Sequence, residues 1–433
     1  MERMAVGLLG VGTVGAGVAR LLAERAGPIA ARAGRRIELK WAVVRDPSRP
    51  RPVSLEGVRV VTDPRRVLDD PEVGIVVETI GGVEPALAIV LDALAAGKDV
   101  VTANKALLAE HGREVFACAR EHGRAVAFEA SVGGGIPIVQ ALEVGLAANR
   151  ITALAAIVNG TCNFILTKMT QEGLPYAVAL EQAQALGFAE SDPTLDVDGT
   201  DTAHKLAILA QLAFGATVTT RQIPRSGIDR LQPADIAYAG ELGYAVKLLA
   251  TARLAGTGLE LRVAPTLVRR GTPLAEVRGP YNAVRVVGDA VGDTFFYGRG
   301  AGAMPTASAV VGDLIDVVVG RAALTFRALG LWSAEAPAPR LATADDVSSR
   351  YYLRSSIADR PGVLATLARA LGTRGISIAS VIQHDPGDDS ADGFVPLVMM
   401  THHAVQASLE AALAEIDRLE AVRPPSVCLG VED

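Results

Sequence analysis

Residues 187–205 read GFAESDPTLDVDGTDTAHK. Five acids, Glu190, Asp192, Asp196, Asp198 and Asp201, fall within twelve residues that hold no lysine or arginine, and the stretch ends in Lys205 at the mouth of the apolar run LAILAQLAF. That run is too hydrophobic for a surface helix, so its first turn is expected to face a buried place, where charge is costly unless paired or used. Carboxylates that deliver one lysine into such a place suit a small cationic substrate with a proton to move. Asp201 and Lys205 are four apart and share one helical face. Taken alone, that spacing fits an ordinary helix ion pair. A calcium loop is excluded: in DVDGTD the glycine comes too early, and the twelfth position counted from Asp196 is Ala207 rather than Glu.

A second lysine, Lys105 in Val101-Thr102-Ala103-Asn104-Lys105, follows a strand-like run and opens a helical one. A cation is poorly placed at a helix N-terminus unless something else uses it. A third cluster, Gly10-Val11-Gly12-Thr13-Val14-Gly15, sits between a strand and a helix, the context that makes GxGxxG a dinucleotide turn. Gly10 permits the tight turn, Gly12 the approach of a pyrophosphate, and Gly15 close helix–strand packing, with the helix N-terminus offered to phosphates. The second strand ends in Val43-Val44-Arg45-Asp46. Arg45 facing a 2′-phosphate selects NADP, towards which the sequence leans; Asp46 taking the ribose hydroxyls selects NAD. A fourth, Glu129-Ala130-Ser131-Val132-Gly133-Gly134-Gly135-Ile136-Pro137, frees the backbone to turn carbonyls onto a hard cation. A plain crossover between domains fits those glycines equally well.

The elements that must carry these residues alternate. Strand-like runs at 4–9, 37–44, 58–61, 73–79, 99–102 and 125–130, with helical runs at 83–96 and 105–122, predict a Rossmann-type doubly wound parallel sheet. Its carboxyl edge would hold the glycine turn and Lys105. From about 140 the pattern becomes α+β: a helix at 137–148, a strand at 151–158, the turn NGTCN, and strands at 259–268 and 281–288. Residues 305–330 read as one long amphipathic helix returning to the first domain. APAPRLATADD (336–346) has linker composition. The tail is expected to be a separate unit: strand YYLRSSIA, helix, strand ISIASVIQHD, polar loop 385–393, strand FVPLVMMTH, helix 404–419 and strand SVCLGV. That order is β-α-β-β-α-β, the ferredoxin-like arrangement. The expected divisions are a dinucleotide-binding domain at 1–137 completed by 305–330, a substrate-binding and dimerisation domain at 138–304, a linker at 331–348 and a regulatory domain at 349–433.

Composition bounds the rest. Of 433 residues half are hydrophobic, and the net charge is −6, which speaks against nucleic acid or an anionic membrane as partner. Cys118, Cys162 and Cys428 are too widely spaced for a disulfide framework or a zinc motif. No apolar run is long enough to span a bilayer, and the start MERMAVGLLGVG lacks the pattern of a signal peptide. A cytoplasmic location is expected.

Taken in order, GxGxxG at 10–15, ETIGG at 78–82, TANK at 102–105, EASVGGGIP at 129–137, NGTCNFIL at 159–166, the 187–205 segment and GAGAMPTASAV at 300–310 resemble homoserine dehydrogenase, with DRPGVL at 359–364 similar to an ACT regulatory module. The resemblance implies reversible reduction of aspartate 4-semialdehyde to homoserine by NAD(P)H. It makes Lys205 the proton donor, Lys105 its neighbouring cation and a substrate or cofactor contact, and Glu190, Asp201 and Asp196 the substrate site. Thr13, Val14, Gly187 and Gly302 join Gly10, Gly12, Gly15 and Arg45 at the cofactor. Glu129, Val132, Gly134 and Ile136 match positions for a monovalent cation, usually sodium, and Cys162 is read as packing. Asp359, Gly362, Val363 and Leu364, with Ser377 and Ile378, match the amino-acid site of paired ACT modules. Threonine is the implied inhibitor, and a homodimer or homotetramer the implied assembly.

Overall fold

The structure, a computed structural model, describes residues 2–256, 258–333, 338–384 and 393–432. Parts of the expected linker (334–337) and most of the polar loop (385–392) lie outside the described residues. The chain divides into two compact units. The first joins Met1–Gly160, Thr200–Ile223 and Pro280–Pro339; the second joins Thr161–Gly199, Pro224–Gly279 and Arg340–Asp433.

The first unit holds the doubly wound sheet. Its strands lie in the order Arg59–Val61, Arg36–Val43, Arg3–Leu9, Val73–Glu78, Asp99–Thr102, Val126–Ala127, with every described pairing parallel. The order reverses beside Arg3–Leu9, and ligands of open α/β sheets bind at that switch point. Register aligns Leu9 with Glu78 and Glu78 with Thr102. Three strand ends therefore emerge side by side, carrying the glycine turn, Thr79 and the Asn104–Lys105 step. Val6, Leu8, Ile75, Val77 and Val101 from the sheet pack with Val18 and Leu22 of the Thr13–Glu24 helix and with Ala307, Val310 and Leu314. The late segment thus does complete this core. It is nevertheless two helices, Ala303–Val318 and Arg321–Leu329, because Gly320 adopts φ 83° between them. Three antiparallel strands, Ile151–Ile157, Tyr281–Gly288 and Gly292–Arg299, also belong to this unit.

Two further expectations fail near the triple glycine. The strand predicted at 125–130 shortens to Val126–Ala127, and Glu129–Ser131 turns as a 3-10 helix. The Glu129 amide leaves the sheet to donate to Asp313 Oδ2 at 2.9 Å. The helix predicted at 137–148 is one turn, Ile138–Gln140, running into a π-turn, Ala141–Gly145. NGTCN is not a free turn either, since the helix Gly160–Glu172 begins inside it.

In the second unit a long hairpin, Tyr244–Ala255 and Gly258–Arg269, is antiparallel over its whole length. The tail has the expected β-α-β-β-α-β order, with strands arranged Val422–Glu432, Tyr351–Ala358, Phe394–Thr401, Ile378–Ile382. It has its own apolar core, including Tyr351, Leu353, Leu367, Leu397, Met399 and Leu409. Its last strand also pairs in parallel with the hairpin, Gly430 to Thr266 through Glu432 to Val268. Beneath that seam Asp235, at the start of the Pro233–Glu241 helix, is gripped by Arg354 through Nε at 2.6 Å and an η nitrogen at 3.0 Å.

Candidate active site

The site is built first on a hydrogen-bonded brace behind the sheet edge. Glu78, fully buried at its strand end, accepts from the amides of Ile80 (2.8 Å) and Gly81 (3.1 Å) and from the Thr102 hydroxyl (2.6 Å). Asn104 accepts from the amide of Leu107 at 3.1 Å, capping the Lys105–Glu121 helix, and its Nδ2 donates to the Gly82 carbonyl at 2.6 Å. The segments ETIGG and TANK, about twenty residues apart in sequence, are thus one unit, and Lys105 opens the helix that it caps.

The helix Thr200–Phe214 brings its first turn to that lysine. Asp201 is buried, and Lys205 Nζ donates to its Oδ2 at 2.6 Å, while Lys105 Nζ lies 3.0 Å from Oδ1. Lys205 also donates to the Val158 carbonyl at 2.6 Å, and Asn159 Nδ2 donates to Asp201 Oδ2 at 2.9 Å. One carboxylate is therefore shared by two ammonium groups from different helices. Burial alone would push the Asp201 carboxyl up; the charges of Lys205 and Lys105 more than reverse this and hold it well below the usual carboxylate range. The Lys205 side chain is 12% exposed and that of Lys105 41%. The cluster thus has one inner and one outer lysine.

Adjacent on the same helix, His204 has Nε2 3.8 Å from Glu110 Oε1. Burial holds its pKa below the ordinary imidazole value, with Lys105 and Lys205 adding to the effect against Asp201 and Glu110. Asn159, Glu78, Asn104 and His204 carry no periodic or motif signal of their own. ETIGG, TANK, NGTCN and the 187–205 segment marked them only as members of a pattern.

The glycine turn is placed as expected. Gly10 has φ 91°, and a Cβ on Gly15 would lie 2.1 Å from the Gly10 carbonyl oxygen, so neither tolerates a side chain. Thr79 Oγ1 donates to that same carbonyl at 2.8 Å, fixing the turn to the neighbouring strand end. A Cβ on Gly12 would meet open space, which leaves its backbone approachable by a ligand while Thr13 and Val14 begin the helix. The residues present therefore fit a dinucleotide. Arg45 is exposed at the end of the second strand; Asp46 Oδ1 accepts from the Ser48 amide (2.9 Å) and hydroxyl (2.6 Å). Gly302, with φ 123°, caps the Ala303–Val318 helix, which packs on the glycine-turn helix where Gly17 meets Ala303.

In the 129–137 loop Gly133 and Gly134 have φ 74° and 55°. A Cβ on Gly134 would lie 2.3 Å from the Gly300 carbonyl oxygen. The Glu129 carboxylate accepts from the amides of Val139 (3.0 Å) and Gln140 (2.8 Å). Among the described residues no group of three or more His, Cys, Asp or Glu side chains is placed to hold a metal. Val132, Gly134 and Ile136 have only main-chain oxygens to offer a hard ion, and the Ile136 oxygen accepts from the Ile138 amide at 2.8 Å. Behind this loop Glu129, Glu143, Asp313 and Asp316 line a cavity of about 480 Å³. Burial pushes Glu129 up to about 7, against the amides of Gln140, Val139 and Ile138, and Glu143 up to about 8.

Glu190, Asp196 and Gly187 belong to the second unit. Glu190 and Gly187 are exposed, and Gly187 has φ 74°. The Asp196 carbonyl accepts from the buried Cys162 thiol at 3.2 Å, consistent with a packing role for the cysteine. In the tail Gly362, with φ 90°, caps the Val363–Gly372 helix. Gln383 Nε2 donates to Asp359 Oδ1 at 3.4 Å, tying the 359–364 loop to the end of the strand that begins at Ile378. Leu364 is exposed, Val363 buried, and the Ser377 carbonyl accepts from the His402 amide.

A doubly wound sheet with an open glycine turn at its switch point, together with a half-buried Lys–Asp–Lys cluster, fits a nicotinamide-dependent dehydrogenase. Sequence profiles described as the homoserine dehydrogenase NAD-binding domain, homoserine dehydrogenase and the ACT domain match residues 10–129, 137–315 and 351–421. The homoserine dehydrogenase of Pseudomonas aeruginosa is 46% identical over 100% of this chain and 99% of its own length, and that of Neisseria gonorrhoeae 42% over the same shares. The solved homoserine dehydrogenase of Thiobacillus denitrificans aligns with TM-score 0.92 and 44% identity over 100% of this chain and 99% of its own. The chain belongs to the homoserine dehydrogenase family, oxidoreductases acting on a CH–OH group, and carries a C-terminal ACT domain. Among the described residues no helix is long and apolar enough to cross a membrane.

Proposed function

We propose that this enzyme reversibly reduces L-aspartate 4-semialdehyde to L-homoserine, in the biosynthesis of threonine, methionine and isoleucine. The observation that carries this is the Asp201 carboxylate shared between Lys205 and Lys105. When bound, the nicotinamide supplies the hydride to the carbonyl carbon. Lys205 then gives its proton to the developing alkoxide, and in the reverse direction it takes the hydroxyl proton. An unperturbed lysine, pKa about 10.4, is a poor base at neutral pH. A second ammonium on the same carboxylate favours release of the proton, as a like charge does. Lys105, the outer lysine, contacts substrate or cofactor, while Glu190, Asp201 and Asp196 receive the amino-acid end.

NADP is the preferred cofactor in this reading, on Gly10, Gly12, Thr13, Val14, Gly15, Arg45, Lys105, Gly187 and Gly302. Asp46 is engaged by Ser48 and Arg45 is exposed, and a hyperthermophilic archaeal homoserine dehydrogenase, 25% identical with TM-score 0.59 over 73% of this chain, was solved in complex with NADPH. Glu129, with the main-chain oxygens of Val132, Gly134 and Ile136, holds a monovalent cation, sodium by family resemblance. The domain divisions expected from the sequence, a cytoplasmic location and a homodimer or homotetramer complete the proposal. Threonine binds between paired ACT modules at Asp359, Gly362, Val363, Leu364, Ser377 and Ile378 and inhibits; this requires different affinity for two states of the enzyme.

NADPH oxidation with aspartate semialdehyde, with and without threonine, tests the reading. Turnover that threonine suppresses supports it. Turnover of glutamate or alanine with NADP+ in place of homoserine would overturn it.

A further inference from the structure

Two consecutive residues at the end of the Ile151–Ile157 strand hold both halves of the inner ion pair. The Val158 carbonyl accepts from Lys205 Nζ at 2.6 Å, and Asn159 Nδ2 donates to Asp201 Oδ2 at 2.9 Å, the same oxygen that accepts from Lys205. Lys105 engages the other oxygen, Oδ1. Asn159 is itself buried. The next residue, Gly160, packs so closely that a Cβ there would lie 2.8 Å from the Pro280 carbonyl oxygen. The amide is neutral at every pH, so it orients the carboxylate without adding charge to the cluster.

We infer that Asn159 is a positioning residue for proton transfer: it fixes the Asp201 carboxylate so that Lys205 Nζ stays between Asp201 Oδ2 and the Val158 carbonyl. The inference rests on the reading of Lys205 as the proton-transferring group. Charged and titratable groups around that lysine include Asp201 and His204 on its own helix and Lys105 on the Lys105–Glu121 helix, with Glu110 of that helix beside His204. The strand end contributes two neutral dipoles, the Val158 carbonyl and the Asn159 amide. Without the Asn159 donor, Asp201 Oδ2 carries more unshared charge and loses the neutral group that helps to fix its orientation. It then holds the Lys205 proton more tightly, and the neutral lysine appears at higher pH.

The experiment compares wild type, Asn159→Ala and Asn159→Ser, the last keeping a hydroxyl donor. Two quantities are read in each: the pH profile of kcat for homoserine oxidation, and the titration of Lys205 by NMR of 13C-lysine-labelled enzyme. The chain has six lysines, and Lys205→Arg assigns the signal. In Asn159→Ala, kcat at neutral pH is expected to fall about tenfold, in line with loss of a hydrogen bond to a charged group. Its rising limb and the Lys205 midpoint both move to higher pH, and KM for NADP+ stays unchanged. Asn159→Ser recovers part of each shift and stands in if the alanine variant does not fold. A limb and a midpoint that coincide with those of the wild type, even with kcat and Tm lowered together, overturn the inference in favour of a structural role. Wild type that fails to oxidise homoserine would defeat the proposed reaction instead, and the NMR midpoints still decide the role of Asn159.

Discussion

Asp201 and Asp235 are both buried aspartates near the start of a helix, and both face cations, yet they are built for opposite ends. Asp235 is fully enclosed. Its oxygens accept the two-toothed guanidinium of Arg354, the Tyr352 hydroxyl at 3.3 Å and the Gln232 amide at 3.0 Å. An arginine does not give up its proton, and its planar fork matches a carboxylate. That pair closes on itself and joins the ACT domain to the helix beside the hairpin. Asp201 is instead shared by two lysines, each a point charge on a flexible stem, and one of them is 41% exposed. Lysine can lose a proton when its surroundings ask for it. A carboxylate answered by arginine holds structure together; one answered by two unequal lysines holds a proton ready to move.

The sharpest way to break this contrast is to give the first site the chemistry of the second. Lys205→Arg keeps the charge and removes the transferable proton, so kcat is expected to fall by about 10²–10⁴-fold, with NADPH binding by fluorescence unchanged. Activity within a fewfold of wild type would erase the distinction. The complementary change, Asp235→Ala, leaves Arg354 buried and unpaired. It should cost about 3–5 kcal/mol in urea denaturation, while kcat per folded molecule stays near wild type. A smaller effect separates both sites from the carboxylates that lack this kind of cation pairing. Burial raises Glu143 to about 8, above its unfolded value, so the stability it contributes is present below the unfolded value and lost as pH rises through about 8. Glu143→Gln should therefore flatten the decline in Tm between about pH 5 and about pH 8, and parallel wild-type and variant curves would contradict this.

The sequence made parts of this legible for physical reasons. The glycine turn and the parallel strands announce themselves because steric need and burial impose period and residue type. The ion pair of Asp201 with Lys205 is local and follows from helical spacing. Its second half is not, since Lys105 reaches Asp201 only through the fold. The Tyr244–Ala255 strand gave no alternation to read because both faces are largely buried, even at Lys247, whose Nζ donates to the Asn163 side chain and the Val277 carbonyl. Residues 305–330 looked like one helix because a single Gly320 is a weak break in an apolar run; only its positive φ makes it a hinge. The Glu129 amide left its strand for Asp313, a partner nearly two hundred residues away, which no local pattern announces.

The central claim is that Lys205 moves the proton. Its most direct test is kcat of Lys205→Ala for NADPH-dependent reduction of aspartate semialdehyde at saturating substrate, with cofactor affinity measured on the same sample. The account predicts loss of most of kcat with cofactor affinity retained. A near-normal kcat in that variant would contradict it.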